Sequence, residues 1–296
     1  MNGTNLSQFT RTAELAANQV IASYSTSFGA ATRLLGPRHR QHIRNIYALV
    51  RVADELVDGV ATEAGLSLEE QGVALDRFVA QTHRAVASGY SSDLVIHAFS
   101  RTARAAGIDA TLIDPFFDSM RADLLNAAQD GTAAFDADAH DTYVHGSAEV
   151  VGLMCLRVFI RDEQHGADEI TRLEHGASQL GAAFQDVNFL RDLADDTSRL
   201  GRAYLGTSDR LTAADRDECL TRIRRQLEDA QAAVPLLPRD ARAAVRSAAD
   251  LFSALADRIE VTSVDDLYRR RVRVSDATKA AIIARAVGRT VRERRP

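Results

Sequence analysis

Along most of this chain apolar residues recur at intervals of three and four, and proline is scarce: after Pro37 the next is Pro115, then Pro235 and Pro238. That pattern predicts helices at about 8–34, 39–60, 67–88, 92–106, 110–127, 139–165, 171–198, 213–232, 238–258 and 264–292. No alternating strand pattern of useful length, solenoid-period repeat or Ser/Gly-rich linker interrupts them. The expectation is an all-α fold, one helical domain over residues 1–296. Between Leu200 and Leu211 the pattern lapses at Gly201, Gly206 and Ser208, which marks a candidate lid.

Two helices carry polar residues where a core helix should not. At about 100° per residue, Tyr47, Arg51, Asp54 and Asp58 fall within an arc of roughly 60°, and Ile46, Leu49, Val50, Val52, Leu56, Val57 and Val60 cover most of the remainder. A surface helix has the opposite proportions, so the narrow polar stripe is expected to line a wet cavity. Gln185, Asn188, Asp192 and Asp196 likewise span about 80°, opposite Val187, Leu190, Leu193 and Ala194. Carboxylates four apart repel by about 0.2–0.5 kcal/mol when exposed, and by more in a low dielectric. Mg²⁺, with Mn²⁺ as a substitute, would relieve that repulsion, since it takes oxygen ligands and commonly shares them with substrate phosphates. Arg51 and Arg191 supply charge-assisted donors to phosphate oxygens. One Asp-x-x-x-Asp helix alone is usually a solvated amphipathic face; two of them, each with an Arg or Asn, bring a metal–diphosphate site level with that reading. Such a site would stabilise a departing diphosphate and leave an allylic cation.

Composition narrows this further. With 296 residues, 46% of them hydrophobic, the chain can bury a large core, and it reads as soluble and globular. A formal net charge of −5 gives no reason to expect nucleic-acid binding. The nine arginines between Arg269 and Arg295 form either a solvated helix or a weak surface for anionic lipid. Cys155 and Cys219 lack metal-type spacing and suggest no disulfide framework, which fits a reducing cytoplasm. The amino terminus has no basic segment followed by an apolar one, and no uninterrupted apolar run approaches ~18 residues. The expected location is cytoplasmic, at most peripheral to the inner face of the membrane. His145 and the Met154/Cys155 run read as packing, Glu149 as a polar cavity residue or a satisfied interior carboxylate, and Tyr47 as a diphosphate contact or a packed ring.

These residues resemble the squalene/phytoene synthase family, the head-to-head prenyl synthases, over nearly the whole chain. Ser25-Thr26-Ser27-Phe28 resembles the family's amino-terminal element, and Tyr47 through Asp58 its first aspartate-rich motif. Gly152 through Phe159 resembles its central helix. Gln185 through Asp196, followed by Gly201-Arg202-Ala203-Tyr204-Leu205, resembles the second motif. Arg271, Ser275 and Lys279, four apart and read as one helix face, resemble the carboxy-terminal signature; Lys279 is the only lysine in the chain.

The resemblance implies an isoprenoid-synthase helical bundle around a central cavity that takes two prenyl diphosphates and Mg²⁺. By the same resemblance Asp54, Asp58, Asn188, Asp192 and Asp196 are metal ligands, and Ser25, Tyr47, Arg51, Gln185, Arg191 and Arg271 contact diphosphate, with Ser27, Phe28 and Tyr204 beside them. The activity implied is condensation of two geranylgeranyl diphosphates to phytoene without a nicotinamide cofactor. The alternatives are a C30 synthase acting on farnesyl diphosphate (dehydrosqualene, squalene or presqualene diphosphate), a head-to-tail prenyltransferase or terpene cyclase, and a non-catalytic assembly factor. Three positions depart from the family pattern: Tyr24 stands where a histidine is usual, Glu149 where a small residue is usual, and Gly206 where a proline is usual.

Overall fold

The computed structural model describes residues 4–128, 137–195 and 210–293, with the side chains of Thr26, Ser27, Ala128, Ala137 and Asp195 outside that description. Among the described residues every regular element is helical. In chain order they are α1 (Asn5–Tyr24), α2 (Thr26–Thr32), α3 (Pro37–Val57), α4 (Val60–Glu63), α5 (Leu68–Ser88), α6 (Leu94–Ala106), α7 (Ala110–Ala128) and α8 (Ala137–Val144). A π turn (His145–Glu149) leads into α9 (Val150–Ile160). Then come α10 (Ala167–Arg191), the single turn α11 (Leu193–Asp195), α12 (Ala213–Ala233), a 3₁₀ turn (Val234–Leu236), α13 (Arg239–Glu260), α14 (Val264–Leu267) and α15 (Asp276–Arg292).

The boundaries follow local chemistry. The Thr4, Ser67, Asp93, Thr212 and Ser275 side chains each accept a backbone N–H of the first turn of α1, α5, α6, α12 and α15. Three expected helices are shorter than the pattern suggested. The 8–34 segment breaks at Ser25, which ends α1 and caps α2 by accepting the Phe28 N–H. The 171–198 segment stops at Arg191, where three aspartates within residues 192–196 oppose further turns at the negative end of the helix dipole. The 264–292 segment is helical only in α14 and α15. Between them Val272 and Val274 are buried while Arg271, Arg273 and Ser275 are exposed, a period of two that belongs to extended chain.

Helix α10 packs against α12, α9, α13 and the π turn, and α3 packs against α1, α6 and α9. One apolar cluster, centred on Phe99, Phe116 and Phe117, joins α3, α5, α6, α7 and α9. A second, with Ile223, Phe252 and Ile259, joins α10, α12 and α13. By composition Asp138–Ile160 is long and apolar enough to cross a membrane. In the fold Val150, Met154 and Val158 within it are fully buried against α3, α6, α7 and α10, as in a core helix.

Glycine sets the closest approach of these helices. A Cβ on Gly181 of α10 would lie 2.4 Å from the Ala148 carbonyl oxygen, and one on Gly152 of α9 would lie 2.4 Å from that of Ala177. Gly181→Ala is expected to destabilise the protein by about 1–3 kcal/mol in urea unfolding, despite alanine's better helix propensity, because backbone must move. Unchanged or raised stability would contradict this packing.

Candidate active site

A cavity of about 1130 Å³ runs between the two apolar clusters. Much of its wall is apolar and fully buried, including Ile46, Leu173 and Val234. Its exposed lining includes Tyr24, Arg271, Ser275 and Asp276, which define the mouth. Of the residues expected at the site, Ser25, Phe28, Tyr47, Arg51, Asp54, Asp58, Gln185, Asn188, Arg191, Asp192 and Arg271 all line this one cavity. Asp196 and Tyr204 lie outside the described residues, as does the Ser27 side chain.

The two motifs end alike. Asp58 is the C-cap of α3 and its N–H donates to the Asp54 carbonyl at 2.8 Å; Asp192 is the C-cap of α10 and its N–H donates to the Asn188 carbonyl at 2.9 Å. Gly59, with φ +108°, follows Asp58 in the left-handed conformation that turns the chain out of the helix. Each motif thus sets an oxygen-bearing pair in a final turn, where helix carbonyls already make the surroundings negative.

Cations meet these acids. Arg191 donates to both Asp192 oxygens, Nε to Oδ1 at 2.9 Å and Nη2 to Oδ2 at 2.5 Å. Arg271 reaches the same carboxylate, with Nε 2.8 Å from Oδ1 and Nη2 3.3 Å from Oδ2. Arg51 pairs with Glu55 one turn on, and Lys279 with Asp276 at 3.1 Å. The Asn188 Oδ1 is buried and has no hydrogen-bond partner among the described residues. An orphaned amide oxygen beside carboxylates is an all-oxygen donor set and fits a hard divalent cation such as Mg²⁺. Among the described residues no three His, Cys, Asp or Glu side chains converge on one point. The donors are grouped by helix end, as suits cations that share their remaining positions with a diphosphate.

Below the mouth the lining turns aromatic. Phe28 lies 5.6 Å from Phe184 and 5.9 Å from Phe252, and the last two rings stack at 3.8 Å. Tyr47 lies 6.4 Å from Phe28 and its hydroxyl bonds Ser25; burial pushes that hydroxyl above its ordinary pKa and keeps it protonated. Burial also pushes the Cys155 thiol, on the cavity wall, up to about 12, so it stays neutral.

Several expectations change. Arg271, Ser275 and Lys279 do line one cavity, but not as one helix face: Arg271 is in extended chain, Ser275 caps α15 and only Lys279 is helical. The helical continuity expected between Asp192 and Asp196 is broken at the Asp192 cap. Glu149 does not line the cavity; its carboxylate holds His145 Nδ1 at 2.9 Å. The sequence reading also missed lining residues. Tyr143 donates to buried Asp123 at 3.0 Å, and both line the wall, as do Phe184, Phe252 and Arg273. An acid three residues after Met120 on the apolar face of α7 was the available signal for Asp123.

The back of α10 is fixed by Asp186, only 1% exposed, which accepts from Arg222 Nε at 3.0 Å and Gln226 Nε2 at 3.2 Å, with His140 Nε2 3.3 Å away. Burial alone would raise this carboxyl's pKa, but His140 and Arg222 hold it below the ordinary value. The ion pair ties α8 and α12 to the helix that carries Gln185 and Asn188.

The squalene/phytoene synthase family model matches residues 21–278. A phytoene synthase of Pseudescherichia vulneris is 28% identical, across 93% of this chain and 91% of that protein. A 15-cis-phytoene synthase of Synechocystis sp. is 29% identical, across 85% of this chain and 78% of that protein. A dehydrosqualene synthase solved with a ligand has a TM-score of 0.77 across 97% of this chain and 99% of that one, at 21% identity. A squalene synthase of Alicyclobacillus acidocaldarius has a TM-score of 0.70 at 15% identity, across 89% of this chain and 97% of that one. At such identities the structural likeness is one of fold, the helical isoprenoid-synthase fold. With the family model spanning both aspartate-rich motifs, the chain belongs to the squalene/phytoene synthase family of prenyltransferase enzymes.

Proposed function

We propose that the chain condenses two geranylgeranyl diphosphates head to head, through a cyclopropyl diphosphate, to phytoene, the first committed step of carotenoid biosynthesis. The observation that carries this reading is one cavity of about 1130 Å³ with an oxygen-and-arginine mouth and an apolar interior. That volume exceeds the ~300–1,000 Å³ usual for a pocket holding one drug-sized ligand. The relatives named phytoene synthase support the same choice.

Asp54, Asp58, Asn188, Asp192 and Asp196 would hold Mg²⁺. Bound there, Mg²⁺ supplies Lewis-acid neutralisation of diphosphate charge. Arg51, Arg191 and Arg271 bind diphosphate oxygens and stabilise the charge that grows as the donor's C–O bond breaks and its electron pair leaves with the diphosphate. The acceptor's double bond attacks the allylic carbon, and proton loss closes the cyclopropane. In the second step the remaining C–O bond breaks, the ring opens and rearranges, and loss of a second proton forms the central double bond. No hydride is consumed, so no nicotinamide cofactor is needed. The apolar wall excludes water, and the faces of Phe28, Phe184 and Phe252 offer electron density to cations in the upper cavity.

The test is product analysis after incubation with Mg²⁺ and either geranylgeranyl or farnesyl diphosphate, with and without NADPH. Phytoene from the C20 substrate without reductant is the expected outcome. A C30 hydrocarbon from farnesyl diphosphate alone would replace the reading with a squalene or dehydrosqualene synthase, which NADPH dependence separates. No product from either substrate with folded protein would overturn it in favour of a non-catalytic relative.

We also propose that the enzyme works in the cytoplasm at the inner membrane face, held by arginines of the last helix. Arg285 and Arg289 of α15 are 62% and 51% exposed at the side chain. Co-sedimentation with anionic vesicles at low salt, lost at high salt, is expected. Failure to sediment at low salt would remove the membrane contact.

A further inference from the structure

Tyr24 is the last residue of α1 and is 52% exposed, and it lines the cavity mouth. The break at Ser25 directs it there: Ser25 donates its N–H to the Ile21 carbonyl, closing α1, and accepts the Phe28 N–H, opening α2. The Arg51 guanidinium carbon sits 4.5 Å above the centre of the Tyr24 ring. Arg51 is thereby held on two sides, by the ring against its face and by Glu55 against its Nη2 edge. Its Nε is buried and has no hydrogen-bond partner among the described residues.

A guanidinium is a planar fork whose Nε and one terminal nitrogen donate in parallel to two oxygens of one phosphate. The terminal nitrogen parallel to Nε–H is Nη2, so with Nη2 taken by Glu55, Nε buried and one face covered by Tyr24, the Nη1 hydrogens are the open donors. The ring restricts rotation of the plane, so the open donors keep one orientation before a ligand arrives. That lowers the ordering cost of binding.

We propose that Tyr24 is a positioning residue of the diphosphate site, an aromatic platform that fixes the plane of Arg51 so that its open Nη1 hydrogens meet a diphosphate oxygen. The role rests on the diphosphate reading above but not on the length of the prenyl chain. It requires the face of the ring and not the phenol hydroxyl, so phenylalanine should serve and an aliphatic side chain should not.

The test uses the full-length protein and Mg²⁺ with inorganic pyrophosphate, a probe with no prenyl chain, titrated by calorimetry. Tyr24→Phe is expected to bind within about 2-fold of the parent and Tyr24→Leu about 3- to 10-fold more weakly, the range for a partly exposed cation–π contact together with lost preorganisation. Thermal midpoints should be unchanged, since the ring is half exposed. In an Arg51→Ala background, Tyr24→Leu should cause no further loss. Turnover adds a second reading: Tyr24→Leu should raise KM for the prenyl diphosphate more than it lowers kcat. Pyrophosphate binding by Tyr24→Leu equal to the parent, or an equal loss in the Arg51→Ala background, would overturn the platform role. No pyrophosphate binding by the parent protein would overturn the diphosphate site and this role with it. Pyrophosphate binding without phytoene formation would overturn only the choice of substrate and leave the Tyr24 result standing.

Discussion

Negative charge gathers where helices are already negative. Asp58 caps α3 and Asp192 caps α10, so each carboxylate sits beside carbonyls that no helical N–H satisfies, an arrangement that costs about 0.3–1 kcal/mol per charge in the open and more in a cavity. Asp54 and the Asn188 oxygen, which has no hydrogen-bond partner among the described residues, lie one turn back in each helix and add to the same field. Arg191 and Arg271 share the Asp192 carboxylate, Arg51 pairs with Glu55 and Lys279 with Asp276. Arg191, Arg271, Arg51 and Lys279 are thus each paired with an acid. On the proposed function, a divalent cation on the acids and a diphosphate on the arginines would satisfy both sets at once and make the two ligands mutually dependent.

Such a mouth needs a rigid frame, because its local interactions favour splaying the helix ends apart. The frame lies behind it. Asp186 faces away from the motif side of α10 and binds Arg222 and Gln226 of α12, with His140 of α8 in ion-pair range. Gly181 and Gly152 let α10, α9 and the π turn approach to backbone contact, where any larger residue would push them apart. The stacked Phe184 and Phe252 join α10 to α13 just beneath the polar layer.

Much of this was legible in the chain. The polar stripe of Tyr47, Arg51, Asp54 and Asp58 on an otherwise apolar helix announced a cavity, because periodicity reports which face of a helix meets water regardless of tertiary context. The same logic brought Gln185, Asn188 and Asp192 to the opposite wall. It failed at helix ends. Continuous apolar periodicity concealed the break at Ser25, where one serine both ends a helix and starts the next. Likewise, a four-residue spacing made Arg271, Ser275 and Lys279 look like a helix face when the buried Val272 and Val274 mark extended chain. Asp123, Tyr143 and the Phe184–Phe252 stack were missed because their contacts join segments far apart in the chain, which local pattern does not report. Asp196 and Tyr204 lie outside the described residues, so Asp196 rests on its spacing and the family resemblance, and Tyr204 on the resemblance alone.

The central claim is that the two helix ends act together, through divalent cations, on one diphosphate. Calorimetry with a non-ionising thiolo analogue of geranylgeranyl diphosphate, with and without Mg²⁺, tests it without requiring turnover. Binding by the parent protein should strengthen at least ~10-fold with Mg²⁺, a coupling of about 1.4 kcal/mol. Asp54→Ala and Asp192→Ala, on opposite walls, should each lose that increment while remaining folded. Equal affinity with and without Mg²⁺ in the parent protein, or a full metal increment in either variant, would contradict the account.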